Sequence, residues 1–247
     1  MRIFKIDHYF DYPTTKGEGM KKHYGLMLFF VALVSIGWTV SSQAMELVPV
    51  TSFDSTWKTY TQGSGTGTAT PNGAKVNLTA QGSGMNFNFY KTGTKGVIGM
   101  LATLRVDQVT SDANGFCQIG LTQYIGMIGN SRVQLNIFLN YNGNGNNNSI
   151  NFVLRTIDLT TNANVQLAQG SIGDYSGTWV NGDNKTVGFL RNGSEFWFYV
   201  AGHPALIKVQ VLDEITPYND SPTVFTMVGP GTGNSISGSA SDIYLIY

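Results

Sequence analysis

The stretch Lys185–Gly202, KTVGFLRNGSEFWFYVAG, gives the strongest indication of the fold. Two runs rich in β-forming residues flank the pair Asn192-Gly193. Asn-Gly is the preferred pair for a two-residue type I′ turn, because both positions adopt positive φ. The stretch therefore predicts a β-hairpin.

Short alternating runs of the same kind continue on both sides of this hairpin. They are separated by clusters of Gly, Asn, Asp and Ser, a pattern typical of all-β sandwiches and barrels. No segment of ten or more residues has a helical period, and no linker or charge run divides residues 45–247. We therefore predict one all-β domain, a two-sheet antiparallel sandwich of about a dozen strands. The predicted strands are Ala74–Ala80, Met85–Tyr90, Val97–Val109, Phe116–Tyr124, Arg132–Tyr141, Ile150–Ile157, Val165–Gly170, Lys185–Arg191, Glu195–Ala201, Leu206–Leu212, Val224–Val228 and Asp242–Tyr247.

The composition supports a folded domain and excludes two classes of partner. Charged residues make up 12% of the chain, against about 25% in typical soluble domains. Hydrophobic residues make up 42% and the net charge is zero, which is unlike a disordered chain. From Met45 onward there are 10 Lys and Arg and 12 Asp and Glu, with no basic run. This excludes a nucleic-acid backbone and a membrane surface as ligands, since both need clustered Lys and Arg.

Two segments resemble a known superfamily. The hairpin has a valine-containing strand, then Arg-Asn-Gly, then an aromatic strand that ends at a glycine. This hairpin and the terminal run Ser241–Tyr247 (SDIYLIY) are similar to segments of concanavalin A-like lectin and glucanase sandwiches, which include laminin-G-like domains. The resemblance implies a jelly-roll sandwich and carries no activity with it.

The N-terminal region has the pattern of a signal peptide. Lys21–His23 is basic, Leu26–Val40 is apolar, and Ser42–Ala44 supplies small residues for cleavage after Ala44. The apolar stretch is shorter than the roughly 20 residues that span a bilayer. We therefore expect residues 20–44 to be a signal peptide, and the product to be periplasmic or secreted without a membrane anchor.

Residues 1–19 precede this signal peptide in an unusual way, because Met20 stands directly before its basic segment. Our hypothesis is that Met20 is the initiator and that residues 1–19 are a mis-assigned upstream extension. Lys16–Gly19 can be encoded by purine-rich codons that resemble a bacterial ribosome-binding site. The hypothesis therefore also implies a bacterial source.

The carboxylates do not form a recognisable catalytic pair. Glycoside hydrolysis needs two acids about 5–10 Å apart, and the glucanase string Glu-X-Asp-X-X-Glu is absent. Asp213 and Glu214 are adjacent, so in a strand they would point to opposite faces. Glu195, which begins a predicted strand, is interpreted as a solvated edge residue; its pairing with Asp107 or Asp158 stays open. We predict no catalytic residue and a function without enzymatic activity.

Thiol and metal chemistry have little support in the sequence. Cys117 alternates with Ile119 and Leu121, which predicts a buried hydrophobic position. Zinc would need several His or Cys ligands, and they are absent. We predict no metal site or cofactor, with calcium as an open alternative at Asp112–Gly115 and Asn181–Asn184, which are also ordinary turn sequences.

The solvent faces of the predicted strands carry the most informative pattern. Amides and aromatic rings stand opposite the apolar residues in several strands. Amides donate to and accept from sugar hydroxyls, and aromatic rings stack on the apolar faces of sugar rings. The predicted ligand-binding residues are Trp197, Tyr199, Asn136, Phe138, Asn88 and Arg155.

The sequence therefore predicts an exported, lectin-like sandwich that binds a neutral glycan without cleaving it. One alternative is a structural or adhesive module whose strand faces are polar only for solubility. The other is a glycoside hydrolase or lyase of unrecognised type. Trp197 separates the first two, because an exposed ring favours sugar binding and a buried ring favours a scaffold.

Overall fold

A computed structural model describes residues 6–7, 45–144, 147–172, 179–203, 206–218 and 221–247. The predicted signal peptide, residues 20–44, lies outside the described residues, as does the predicted extension apart from residues 6–7. No described helix is long and apolar enough to cross a membrane.

The described chain consists of antiparallel β-strands joined by turns and loops. The strands are β1 (Ile6–Asp7), β2 (Leu47–Pro49), β3 (Trp57–Gln62), β4 (Thr66–Asn72), β5 (Lys75–Gln81), β6 (Met85–Lys91), β7 (Gly99–Thr110), β8 (Phe116–Ile128), β9 (Ser131–Asn142), β10 (Asn147–Asp158), β11 (Asn164–Ser171), β12 (Asn184–Asn192), β13 (Glu195–Val200), β14 (Ile207–Gln210), β15 (Thr223–Val228) and β16 (Ser235–Ile246).

These strands form two sheets that pack face to face. Sheet A has the order β1-β14-β13-β12-β7-β16-β5-β4, with β2 also paired to β16; it has nine strands in the described chain, or eight without the two-residue β1. Sheet B has seven strands in the order β11-β10-β9-β8-β15-β6-β3. This arrangement confirms the predicted two-sheet jelly-roll sandwich.

The core lies between the sheets and follows the alternation of the strands. In β9, Val133, Leu135, Ile137 and Leu139 are fully buried on the side that faces sheet A. In β13, Phe198 points toward sheet B, where its ring centroid lies 4.6 Å from that of Phe152 on β10. Residues at alternate positions of a strand share one face, so this packing directs the remaining side chains of sheet B away from the core.

The predicted hairpin is confirmed, but its turn lies one residue later than expected. Asn192 pairs with Glu195, so the two-residue loop is Gly193-Ser194. Gly193 has a φ of 62°, whereas Asn192 and Ser194 are not among the described residues with positive φ. A glycine with positive φ at the first loop position is typical of a type II′ turn. The predicted type I′ turn at Asn192-Gly193 is therefore wrong.

Each of the twelve predicted strands overlaps an observed strand, and the strands that were missed have weak β patterns. β2 has three residues, and β4 contains both a glycine and Pro71. Five of the six residues of β3 are exposed, so no alternation is visible there. The first half of β16 is made of serine, glycine and alanine around Ile236, and only its second half was predicted.

A buried asparagine fixes two loops at one end of the sandwich. Asn234 is 1% exposed. Its Oδ1 accepts hydrogen bonds from Ser111 Oγ (2.9 Å) and the Asp112 backbone N–H (2.8 Å). Its Nδ2 donates to the carbonyls of Gly229 (2.9 Å) and Pro230 (2.8 Å). The side chain therefore satisfies four groups of the β7–β8 and β15–β16 loops.

We predict that Asn234→Ala lowers the free energy of unfolding by about 2–4 kcal/mol, because buried groups are left without partners. Asn130→Ala is the matched control, since its Nδ2 makes one exposed hydrogen bond to Thr160 Oγ1 and its loss should cost less than about 0.5 kcal/mol. Equilibrium urea denaturation measures both. Equal, small losses would contradict a structural role for Asn234.

Candidate functional site

The candidate site is the side of sheet B that points away from sheet A, here called the polar face. Strand pairing places Tyr60 of β3, Asn88 of β6 and Phe225 of β15 in one row across the sheet. The row continues through Gly120 of β8 and Phe138 of β9. The polar face includes Lys58, Tyr60, Asn86, Asn88, Tyr90, Gln118, Gly120, Thr122, Tyr124, Arg132, Gln134, Asn136, Phe138, Asn140, Asn151, Val153, Arg155, Thr223, Phe225 and Met227.

Two phenylalanines form the centre of the polar face. The ring centroids of Phe138 and Phe225 are 6.2 Å apart in an edge arrangement. They approach across Gly120, where a Cβ atom would lie 2.5 Å from Phe138 Cβ and 2.8 Å from Phe225 Cε1. Glycine at this position therefore allows two rings from non-adjacent strands to meet. Both rings are largely buried, at 8% and 5% exposure.

Amide side chains surround these rings, and several have no partner within the described chain. Neither Asn88 nor Asn136 makes a side-chain hydrogen bond to a described residue. The Oδ1 atoms of Asn86 and Asn151 are buried and also lack a described partner. Buried polar groups in proteins are nearly always hydrogen bonded, so groups without partners call for an explanation.

Other side chains of the polar face are hydrogen bonded to one another. Gln118 Nε2 donates to Asn140 Oδ1 at 2.9 Å. Gln134 Nε2 donates to Thr122 Oγ1 at 3.0 Å. Gln134 Oε1 also accepts from Arg155 Nε at 2.6 Å. These bonds hold part of the surface in a fixed arrangement beside the unpaired amides.

The polar face has positive charge at the end where Arg155 and Arg132 lie. The guanidinium carbon of Arg132 lies 4.0 Å from the centroid of the Tyr124 ring. Arg132 Nε is buried without a described partner. Burial lowers the pKa of Arg155 from its ordinary value, and the nearby Tyr124 opposes this effect. Arg155 remains charged near neutral pH because arginine starts from a very high pKa.

The described residues of the polar face include no Asp or Glu. The carboxylates that the sequence analysis considered for catalysis instead accept hydrogen bonds from nearby residues. Glu195 accepts a hydrogen bond from Trp197 Nε1, and Asp107 accepts from Arg105 Nε. Asp158 accepts hydrogen bonds from the backbone N–H groups of Thr161 and Thr160, which hold its pKa below the ordinary value.

Four of the six predicted binding residues lie together on the polar face: Asn88, Asn136, Phe138 and Arg155. Trp197 and Tyr199 lie on β13 of sheet A instead. The six predicted residues therefore do not share one surface. The cause is strand order, since β13 pairs with β12 and β14 and not with the strands of sheet B.

Trp197 is also buried, although it points away from the main core. It is 1% exposed and packs with Leu190 and Ile246 in a small cluster that Met45 and Leu47 adjoin. Its Nε1 donates to Glu195 Oε2 at 3.0 Å. The predicted role of Trp197 as a stacking platform is thus contradicted by its burial. Beside it, burial raises the pKa of Tyr199 to about 12.

Several members of the polar face were not predicted as binding residues. Tyr60, which is 53% exposed, lies on the strand that was not predicted. Phe225 lies on a predicted strand, where alternation about the buried Val224 would have indicated its face. Tyr124 and Arg132 lie beside a β-bulge between β8 and β9, which interrupts the pattern.

The turns considered for calcium use their carboxylates within the protein. Asp112 accepts a hydrogen bond from the Gly233 backbone N–H at 3.2 Å. Asp183 accepts from the Val180 N–H and lies 3.5 Å from Lys185 Nζ. Among the described residues there is no group of three or more His, Cys, Asp or Glu that could hold a metal. Calcium at these turns stays an open alternative to the predicted absence of a metal site.

Cys117 and a surface cavity provide fewer groups that could bind a ligand than the polar face does. Cys117 is fully buried, as predicted, and burial raises the pKa of its thiol to about 11. A cavity of about 480 Å³ is lined by Lys95, Gly96, Pro217 and Tyr218, at the β6–β7 and β14–β15 connections. The described residues of this lining provide one aromatic ring and no amide or carboxylate side chain. The polar face is therefore the stronger candidate.

Comparison with known proteins gives matches only at the level of structure. No family model matches the chain, and no curated protein sequence matches it significantly. A glycoside hydrolase family 16 endo-glucanase from Bacteroides ovatus superposes with a TM-score of 0.56 and 12% identity, covering 82% of this chain and 99% of that one. The chain has the concanavalin A-like jelly-roll fold.

Two further structures with this fold give similar values. A 1,3-alpha-1,4-beta-D-galactose-4-sulfate-3,6-anhydro-D-galactose 4 galactohydrolase matches with a TM-score of 0.54 and 10% identity, over 84% of this chain and 97% of that one. A Bacteroides ovatus mixed-linkage glucan GH16 protein, in complex with a G4G4G3G product, matches with a TM-score of 0.53 and 12% identity, over 82% and 99%. At such identities the likeness establishes the jelly-roll fold alone.

We predict that Trp197→Ala destabilises the jelly roll by about 3–5 kcal/mol, because it leaves a cavity in the outer cluster of sheet A. Tyr60→Ala removes a largely exposed ring and should cost less than about 1 kcal/mol. Thermal and urea unfolding measure both changes. A loss of less than about 1 kcal/mol for Trp197→Ala would contradict the packing described here.

Proposed function

We propose that this chain is exported and binds polysaccharide on the polar face of sheet B without cleaving it. The observation that carries the proposal is the set of amides without partners among the described residues, beside the Phe138–Phe225 pair. Exposed strand faces that are polar only for solubility would not bury amide oxygens without partners. A ligand rich in hydroxyl groups would supply the missing donors and acceptors.

The chemistry of the polar face suits sugar rings. Each amide offers a carbonyl acceptor and two N–H donors, which match hydroxyls that both donate and accept. Tyr60 and Tyr90 add aromatic surface with a polar end. Most of this surface is uncharged, which supports neutral sugar rings over most of the ligand.

The dimensions of the polar face favour a chain over a single sugar. The row from Tyr60 on β3 to Asn151 on β10 crosses six strands. Neighbouring strands lie about 4.8 Å apart, so the row extends for roughly 24 Å. The proposed ligand is therefore an oligosaccharide or a segment of polysaccharide.

Two further considerations support binding without cleavage. Glycoside hydrolysis uses two carboxyl groups that flank the bond, and the described residues of the polar face include neither Asp nor Glu. The superposed proteins include a glucanase and a galactohydrolase, so a carbohydrate ligand agrees with the fold by analogy. The fold does not transfer their activity, because activity depends on the residues at the site.

A structural or adhesive module is the second candidate function, and the burial of Trp197 favours it. That residue was expected to be exposed in a glycan-binding protein and buried in a scaffold. Since Trp197 lies on sheet A, its burial does not affect the surface of sheet B. The amides of the polar face favour the binding function over the scaffold.

The proposal predicts that Asn88→Ala and Tyr60→Ala each weaken polysaccharide binding about two- to tenfold, the effect of one hydrogen bond or ring contact. The matched controls are Asn77→Ala and Tyr244→Ala on sheet A, which should leave affinity unchanged. Affinity electrophoresis in gels containing agarose, mixed-linkage glucan, xylan or kappa-carrageenan measures the dissociation constants.

The same experiment distinguishes the alternatives. If the folded parent protein binds none of these polysaccharides, the binding function is rejected and the structural module remains. If incubation releases new reducing ends, the protein is a hydrolase and the non-catalytic proposal is wrong. Equal losses in the sheet A controls would show that the ligand lies elsewhere.

A further inference from the structure

We propose that the end of the polar face formed by Arg155, Arg132 and Tyr124 is a subsite for an anionic substituent of the polysaccharide, a sulfate ester or a carboxylate. This inference rests on the proposed function and deepens it. It revises the expectation of an entirely neutral glycan at one position of the ligand.

The side chain of Arg155 is held in an orientation that suits ligand binding. Its Nε donates to Gln134 Oε1 at 2.6 Å, which fixes the plane of the guanidinium. Its two terminal nitrogens make no hydrogen bond to a described residue. A guanidinium held in this way presents paired N–H groups that match the oxygens of a sulfate or carboxylate.

Arg132 places a second cation beside the first. Gln134 pairs with Arg155, and Arg132 lies two residues before Gln134 on the same face of β9. Such diagonal neighbours lie about 7–8 Å apart in antiparallel sheets. Arg132 stacks on Tyr124 and keeps a buried Nε without a described partner. Two guanidinium groups therefore approach the same region of the surface.

No described carboxylate neutralises this pair. The ion pairs between described residues join Arg105 to Asp107 and Lys185 to Asp183, both away from sheet B. Residues 45–247 carry a net charge of −2, yet the polar face has three cations, Lys58, Arg132 and Arg155, and no acid. The positive charge is thus concentrated on the surface proposed to bind ligand.

Burial makes this arrangement costly unless an anion binds. Burial lowers the pKa of Arg155, which shows that the charged form has lost part of its hydration. A partly buried cation without a partner is unfavourable, and an anion with several oxygens offsets that cost. Neutral hydroxyls would supply acceptors but no charge, so they fit Arg155 and Arg132 less well than an anion does.

The test compares Arg155→Gln with the parent protein in affinity electrophoresis. The gels contain agarose as a neutral polysaccharide, kappa-carrageenan as a sulfated one, or alginate as one that carries carboxylates. We expect the parent to bind at least one anionic polysaccharide about tenfold or more tightly than agarose. Arg155→Gln should remove that preference, because a charge-assisted bidentate contact accounts for about a tenfold or larger factor.

Two controls separate specific recognition from general attraction to a polyanion. Arg105→Gln removes an equal charge from sheet A and should change binding of every polysaccharide less than twofold. Arg155→Lys keeps the charge but loses the planar fork, so it should recover only part of the preference. Circular dichroism and thermal melting confirm that each variant is folded.

The outcomes distinguish this inference from the function on which it rests. Loss of preference for kappa-carrageenan assigns a sulfate to the subsite, and loss of preference for alginate assigns a carboxylate. Equal binding of agarose and both anionic polysaccharides by the parent overturns the subsite but leaves polysaccharide binding intact. An equal effect of Arg155→Gln and Arg105→Gln also overturns it. Binding of none of the three, nor of mixed-linkage glucan or xylan, would reject both.

Discussion

The burial of one face of sheet B against sheet A is the constraint on which the rest of the structure depends. Ile137 and Leu139 point inward from β9, and Phe152 of β10 meets Phe198 of sheet A. Because side chains alternate, a slip of one residue would turn every one of these side chains toward solvent. The packing therefore fixes the register, and the register decides which residues form the polar face.

The two outward faces are used differently. On sheet A, the first residues after the predicted cleavage site form β2, and Met45 and Leu47 adjoin the cluster that contains Trp197. That part of the surface is closed by the protein itself. On sheet B, Gly120 lets Phe138 and Phe225 meet, and amides without described partners lie around them. Among the described residues, the combination of aromatic surface with polar groups that lack partners occurs on sheet B and not on sheet A.

Local alternation could be predicted from the sequence, whereas strand order could not. The alternation of β9 and β6 placed Asn136, Phe138 and Asn88 on the side away from the core, as the structure has them. Trp197 was placed away from the core equally well. Which sheet contains Trp197 depends on pairings between residues far apart in the chain. Its burial depends also on β2, whose three residues show no pattern. Tyr60 was missed for the same reason, because β3 is exposed and does not alternate.

A shared fold and a different set of residues together lead to the proposed function. The jelly roll sets the spacing of the strands, and hydrolases with this fold need paired acids at the bond that they cleave. Here the described residues of the polar face provide amides, aromatic rings and two arginines without a described counter-ion. The role proposed for this surface is to hold a sugar chain and one of its charged groups, and its described residues include no acid that could protonate a leaving group. The proposed polysaccharide ligand would account both for the amides and for the arginines that lack partners among the described residues, whereas a scaffold accounts for neither.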